Sequence, residues 1–110
     1  MNIYDKAAED IKTNGKATGW IGMLPEGPHC LLGAIAHAKG CETRPTFGYS
    51  YDVVQREAIF VGEIIREQYP DHFLWRYPSV QGTFTFSDEK SAEDVVAILE
   101  KASVKYEEQI

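Results

Sequence analysis

The sequence lacks any long hydrophobic run. No apolar stretch in its 110 residues approaches the roughly 18 residues that a membrane-spanning helix requires. The first residues, MNIYDKAAEDIK, carry neither a basic start nor a hydrophobic segment of the signal-peptide type. We therefore expect no membrane partner and a cytoplasmic location.

Runs of lysine or arginine are also missing. The chain has 11 basic and 17 acidic residues, which gives a formal net charge of -6. A nucleic-acid-binding surface needs clustered basic side chains to neutralise phosphates, so we expect no nucleic-acid partner. The acidic balance suits a protein that presents a negative surface to a basic partner.

Cysteine is scarce, occurring only as Cys30 and Cys41. If the helix predicted between them is straight, they lie roughly 16 Å apart at about 1.5 Å per residue. Because a disulfide requires Cα atoms within about 7 Å, we expect two free thiols in a reducing compartment. With 44% apolar residues, the chain can fold as one domain, residues 1–110, without disulfide or metal.

Helix patterns are clearest near the two ends of the chain. The first helix is predicted to begin at Asn2, whose side chain can cap free backbone amides, and to end at Asn14-Gly15. The last helix is predicted to follow Ser91, because Ser91 and Asp94 approximate a capping box ahead of an apolar stripe.

Two further helices are predicted in the middle of the chain. One begins near Pro28 and ends at Gly40. The other is capped by Ser50 or Asp52 and ends before Pro70, because the residue that precedes a proline avoids helical angles.

Two short segments have the character of strands. TFTFS, residues 83–87, alternates threonine and phenylalanine with the period of two that a half-buried strand shows. A glycine-rich segment leaves room for a second strand at 20–23. We expect a mostly α fold, a compact four-helix single domain in which the two segments pair as a short two-stranded β element.

The stretch CLLGAI places Cys30 at the start of a helix. Helix N-terminal amides stabilise a thiolate, so Cys30 is a candidate nucleophile. His37 shares its helix face but lies roughly 10 Å away, whereas His72 would have to reach Cys30 from a loop. Cysteine is also among the most buried residue types when it is chemically inert. We favour core packing; the alternative is a thiol-dependent enzyme or small-ligand binder with His37 or His72 as the base.

Metal ligation is the next possibility to weigh. His29, Cys30, His37 and Cys41 fall within 13 residues, but their spacing does not match the ligand pairs of structural zinc sites. We expect no metal and no cofactor.

Aromatic residues cluster in two irregular segments. Tryptophan, tyrosine and arginine dominate binding hot spots, and loops carry function disproportionately. A competing interpretation is that loop aromatics cover the open end of the helices. The candidate binding residues are Tyr49, Tyr51, Phe73, Trp75, Arg76 and Tyr77.

Three segments resemble a family of small uncharacterised domains found in actinobacteria and their bacteriophages. They are Gly19-Trp20, CLLGAI from Cys30 to Ile35, and FSDEKSAEDVVAILEKA from Phe86 to Ala102. Phe86-Ser87 stands where the family has Trp-Asn, and residues 41 to 80 show no likeness. The resemblance implies a mostly helical fold and an actinobacterial or phage origin, and it implies no reaction.

The functional expectation is a small acidic, phage-encoded, non-enzymatic binding protein. It would contact a host protein, in the host cytoplasm, through its acidic surface and the aromatic segment around Trp75. Self-association through an exposed helix face stays open as an alternative.

Overall fold

The computed structural model describes residues 1–43, 48–72 and 78–109. Within these ranges the chain forms five α-helices and two short 3₁₀ helices. The α-helices are α1 (Ile3–Asn14), α2 (Leu31–Lys39), α3 (Gln55–Gln68), α4 (Val80–Glu89) and α5 (Ala92–Glu108). The 3₁₀ helices are Gly19–Met23, which we call the Trp20 turn, and Tyr51–Val54, which we call the Tyr51 turn.

Helix α1 begins where its cap was predicted. The Asn2 side chain accepts hydrogen bonds from the backbone N–H groups of Tyr4 and Asp5, at 2.9 and 3.0 Å. Its amide group donates in turn to the carbonyl and the hydroxyl of Ser103 on α5. Helix α1 packs chiefly on α5 and α2. Asn2 therefore caps one helix and ties it to another.

Helix α5 also has the predicted start. The Ser91 hydroxyl accepts a hydrogen bond from the backbone N–H of Asp94 at 3.1 Å. The buried side chains of α5 recur every three or four residues, so one face of the helix enters the core. They are Val95, Val96, Ile98, Leu99, Ala102 and Ser103.

Helix α2 lies in the middle of the core. Every residue from 31 to 36 is buried, and Gly40 ends the helix with a left-handed φ of 74°, as predicted. The helix begins at Leu31 rather than near Pro28, because Cys30 has extended backbone angles and acts as the N-cap.

The predicted β element is wrong. In the described ranges there is no strand, and an isolated bridge joins Lys16 to His29. TFTFS lies inside α4, whose first turn is capped by the Ser79 hydroxyl accepting from Gly82 N–H. Thr83 and Phe86 are both buried, three residues apart on one helix face, and the Thr83 hydroxyl donates to Ala58 O of α3 at 2.8 Å. This tertiary bond and the burial of one helix face outweigh the period-two pattern.

The strand predicted at 20–23 is replaced by the Trp20 turn, because TFTFS is helical and offers it no partner strand. The four-helix count is wrong for the same reason, since α4 is the additional helix. The Ser50 hydroxyl caps the Tyr51 turn, and α3 follows and ends before Pro70, as predicted. Among the helices described, none has both the length and the apolar character needed to cross a bilayer.

Candidate functional site

Cys30 lies in the protein interior. Its side chain is fully buried, its sulfur accepts a hydrogen bond from Gly33 N–H at 3.4 Å, and the thiol lies 3.7 Å from the Met23 sulfur. Burial raises the pKa of Cys30, although the hydrogen bond from the Gly33 backbone N–H acts in the opposite direction. Cys30 is thus a protonated thiol at neutral pH, which is the opposite of what a nucleophilic cysteine requires. Both cysteines are free, as predicted.

The two histidines considered as bases for Cys30 make other contacts. His37 Nδ1 lies 2.9 Å from the Tyr49 hydroxyl, and the His37 ring stacks on His29. His72 Nε2 donates to Gly82 O at 2.7 Å. These contacts engage both rings with groups other than the Cys30 thiol.

The aromatic candidates divide into three groups. Tyr49 is buried, and burial raises its pKa. Tyr51 is partly exposed, and its ring meets that of Phe84 at 5.5 Å in an edge contact. Phe73, Trp75, Arg76 and Tyr77 lie outside the described residues. Their binding role stays a prediction.

The sequence analysis missed a pair of stacked histidines. His29 is 2% exposed, and its Nδ1 donates to the Asp10 carboxylate at 2.6 Å. The His37 ring lies over it with centroids 4.9 Å apart and an interplanar angle of 31°. No local motif could reveal the Asp10–His29 bond, because Asp10 lies on α1, 19 residues before His29 in the sequence. The eight-residue spacing of the histidines on and before α2 was the only signal.

The most exposed aromatic residue in the described ranges is on the Trp20 turn. Trp20 is 64% exposed and Ile21 is 52% exposed, so two large apolar side chains adjoin each other in solvent. The sequence placed Trp20 in the strand predicted at 20–23 and in the Gly19-Trp20 segment of the family resemblance, and did not indicate it as a candidate binding residue. The signal that could have identified it is a tryptophan among glycines, where no helix or strand stripe accounts for its burial.

Hydrogen bonds fix both ends of the Trp20 turn. At its start, Gly19 N–H donates to the Asp88 carboxylate of α4 at 2.9 Å. Towards its end, Gly22 O accepts from Cys30 N–H at 3.2 Å, and Met23 O accepts from Tyr49 N–H at 2.7 Å. The turn is therefore anchored to α4, to the start of α2 and to residues 48–50.

Glycines allow the backbones beneath the turn to touch. A Cβ atom at Gly33 of α2 would overlap the carbonyl oxygen of Gly22, and one at Gly22 would overlap the backbone nitrogen of Cys30. A Cβ atom at Gly48, whose φ is 71°, would likewise overlap the carbonyl oxygen of Met23. The small residues of α2 thus serve the close approach of a backbone segment.

An aromatic pair, Tyr51 and Phe84, shares an acidic neighbour with the Trp20 turn. The Tyr51 pKa is raised mainly by burial, and the nearby Asp88 carboxylate contributes. Asp88 also holds Gly19, so Tyr51 and the start of the Trp20 turn share one acidic neighbour. We call Trp20, Ile21, Tyr51 and Phe84 the Trp20 surface.

In the part of the chain that the structure describes, no three His, Cys, Asp or Glu side chains are arranged to hold a metal ion. The model of a family of unknown function, DUF6197, matches residues 1–104, and the chain belongs to that family. This finding confirms the resemblance to a family of uncharacterised domains. No curated protein and no solved structure matches the chain.

Proposed function

We propose that this member of a family without an assigned activity is a non-enzymatic binding protein that contacts another protein through the Trp20 surface. The observation that carries the proposal is the exposure of Trp20, 64%, on a turn whose backbone is anchored at both ends. Tryptophan is the residue type most enriched at binding hot spots. A fixed turn loses little conformational entropy when a partner binds, which favours affinity.

The charge of the chain supports a basic partner. The formal net charge is -6, and exposed Glu26 and partly exposed Asp88 lie on or beside the Trp20 turn. A partner of matching chemistry has an apolar pocket for the indole ring and basic residues around that pocket. The acidic rim then accelerates association, and the indole supplies most of the affinity.

The partner in this proposal is a host protein. If the chain has the actinobacterial phage origin that the sequence resemblance implies, the partner is an actinobacterial protein and the complex forms in the host cytoplasm. The aromatic segment around Trp75 is the second predicted contact. It adds to the Trp20 surface in this proposal and does not replace it.

The test compares matched alanine variants. Wild type, Trp20→Ala and Val104→Ala would each be used to capture proteins from an actinobacterial lysate, and the captured partner would then be titrated as a purified protein. Val104 is 60% exposed but lies on α5, so it is the control for loss of an exposed apolar side chain. We expect Trp20→Ala to weaken binding about 30-fold, the size of a hot-spot loss of about 2 kcal/mol, and Val104→Ala to leave binding within about twofold.

A third variant separates the two predicted contacts. If Trp20→Ala binds the purified partner as tightly as wild type, the Trp20 surface is not the binding site. If Trp75→Ala alone abolishes binding, the partner contacts the aromatic segment around Trp75. Thermal unfolding of each variant would show that lost binding does not reflect lost structure.

A further inference from the structure

We propose that the stacked pair of His29 and His37 is a pH-sensitive device that controls how firmly the Trp20 turn is held. The inference rests on the proposed function for its biological meaning, because the Trp20 turn is the surface assigned to the partner. Its physical content concerns the free protein and can be tested without a partner.

The first step is the environment of His29. Its Nδ1–H donates to one oxygen of Asp10, and the other oxygen accepts from the Asn14 side chain at 2.8 Å. His29 Nε2 is buried and has no hydrogen-bond partner among the described residues. A buried polar atom without a partner is unusual and calls for an explanation. The Asp10 carboxylate is the group that can balance a positive charge on the His29 ring.

The second step is the stacking of His37. Histidine changes charge between about pH 5 and pH 8. One proton added to the pair is balanced by the Asp10 carboxylate, but a second proton leaves two positive rings whose centroids are 4.9 Å apart, tilted by 31°. Like charges at this distance in a partly buried site repel strongly. The exposed ring, that of His37, is the one that can move away into solvent.

The third step connects His37 to the Trp20 turn. The Tyr49 hydroxyl bonds His37 Nδ1, and the backbone N–H of the same residue donates to Met23 O at the end of the turn. When His37 leaves the stack, Tyr49 loses its side-chain anchor next to this backbone bond. Protonation of the pair thus loosens one of the bonds that hold the Trp20 turn.

Among the residues that the structure describes, Asp10 is the carboxylate in contact with the pair. Asp10 of α1 already pairs with His29, the Cys41 thiol lies near Tyr49, and burial raises the pKa of the Tyr49 hydroxyl. Two cations on the flanking elements point elsewhere: Lys16 Nζ donates to Ser87 O, and Lys39 Nζ pairs with Glu57 at 3.1 Å. The two lysines therefore do not add to the repulsion, and the Asp10 carboxylate can balance one of the two ring charges but not both.

The test is amide hydrogen exchange on the free protein at pH 7.5 and 5.5, corrected for the intrinsic pH dependence of exchange. We expect the protection of the Tyr49 amide to fall at least tenfold at pH 5.5 in wild type. His37→Gln, which keeps a hydrogen-bonding side chain but cannot take a second charge, should show no such fall. His72→Gln alters the remaining histidine, which lies outside the pair, and should behave as wild type.

A wild-type protein whose Tyr49 amide is equally protected at both pH values would overturn the inference, and so would a His37→Gln variant with an undiminished loss of protection. Failure of the proposed function is a separate result. If the exchange experiment succeeds while Trp20→Ala binds a partner normally, the device exists but the Trp20 turn is not the binding surface. Proton NMR titration of the histidine rings, with one titration removed in His37→Gln, provides an independent readout.

Discussion

The pair of helices α1 and α5 and the segment from residue 16 to residue 30 are held in place by different means. Helix α1 presents Tyr4, Ala7, Ala8 and Ile11 to the core, and α5 presents its own apolar stripe to the same interior. The segment 16–30 contributes few buried side chains. It is fixed by backbone hydrogen bonds and by glycines that let backbones touch.

This difference separates two sources of stability. Side-chain stripes contribute through buried apolar area. Removing one of their groups leaves a cavity, which lowers the free energy of unfolding of the whole domain. Backbone contacts contribute little area but determine where the Trp20 turn sits. The helix pair should therefore control global unfolding, whereas the segment should control local opening.

The largest expected effect is that of Leu99→Ala. Leu99 is fully buried on α5, so its truncation leaves a cavity in the core. We expect a loss of about 3 kcal/mol in the free energy of unfolding, measured by urea denaturation. Val104→Ala on the same helix, at an exposed position, should change it by less than about 0.5 kcal/mol. Equal stability of the two variants would contradict the role assigned to the helix pair.

A smaller loss is expected for Gly33→Ala. The added Cβ overlaps the Gly22 carbonyl oxygen, so the segment 16–30 must move off α2 at a cost of about 2 kcal/mol. Gly40→Ala, in the left-handed region but with no atom near its Cβ, should cost about 1 kcal/mol.

Hydrogen exchange shows which part of the molecule loses stability in Gly33→Ala. In Gly33→Ala, hydrogen exchange should accelerate at the Cys30 and Tyr49 amides, which bond to Gly22 O and Met23 O, more than in the interior of α5. Uniform acceleration across both regions would mean that the segment and the helix pair open together.

The smallest effect concerns Cys30, where the segment joins α2. Burial raises the pKa of this thiol above its ordinary value of 9.0, so the unfolded chain loses the proton first as pH rises. The stabilising contribution is complete below about pH 9 and is lost as pH rises through the folded pKa. We expect the free energy of unfolding to fall as pH rises above about 9, and to fall less steeply in Cys30→Ala.

Three tyrosines limit this last effect. Burial also raises the pKa values of Tyr4, Tyr49 and Tyr51, so part of the alkaline slope should persist in Cys30→Ala. Val104→Ala, which removes exposed apolar atoms and no ionisable group, is the control and should retain the wild-type slope. An unchanged slope in Cys30→Ala would show that the thiol is solvated in the folded protein.

The sequence predicted those elements whose signals are local. The caps at Asn2 and Ser91, the glycine end of α2 and the end of α3 before Pro70 all depend on a few neighbouring residues. Helix α4 was mistaken for a strand because its threonine and phenylalanine residues alternate with a period of two. Its helical form depends on tertiary contacts, such as the hydrogen bond from the Thr83 hydroxyl to Ala58 O. Such a bond has no signature in a single short window.

The candidate site was less predictable than the fold. Core packing of Cys30 follows from the general tendency of cysteine to be buried, and the structure places the residue there. The Asp10–His29 bond and the contact of Gly22 with Gly33 join residues that are far apart in sequence or meet only through backbone atoms. Local patterns contain no information about either contact.

The Asn2 side chain bonds residues near the opposite end of the chain. Its amide donates to the Ser103 carbonyl across 101 positions, and to the Glu107 carboxylate at 2.9 Å. During synthesis on the ribosome, α1 emerges first and can pack on α2, but its contacts with α5 must wait until the last helix has emerged. Folding of this domain is consequently completed only once α5 has left the exit tunnel, and a nascent chain stalled before that point would expose the α5-facing side of α1 to chaperones.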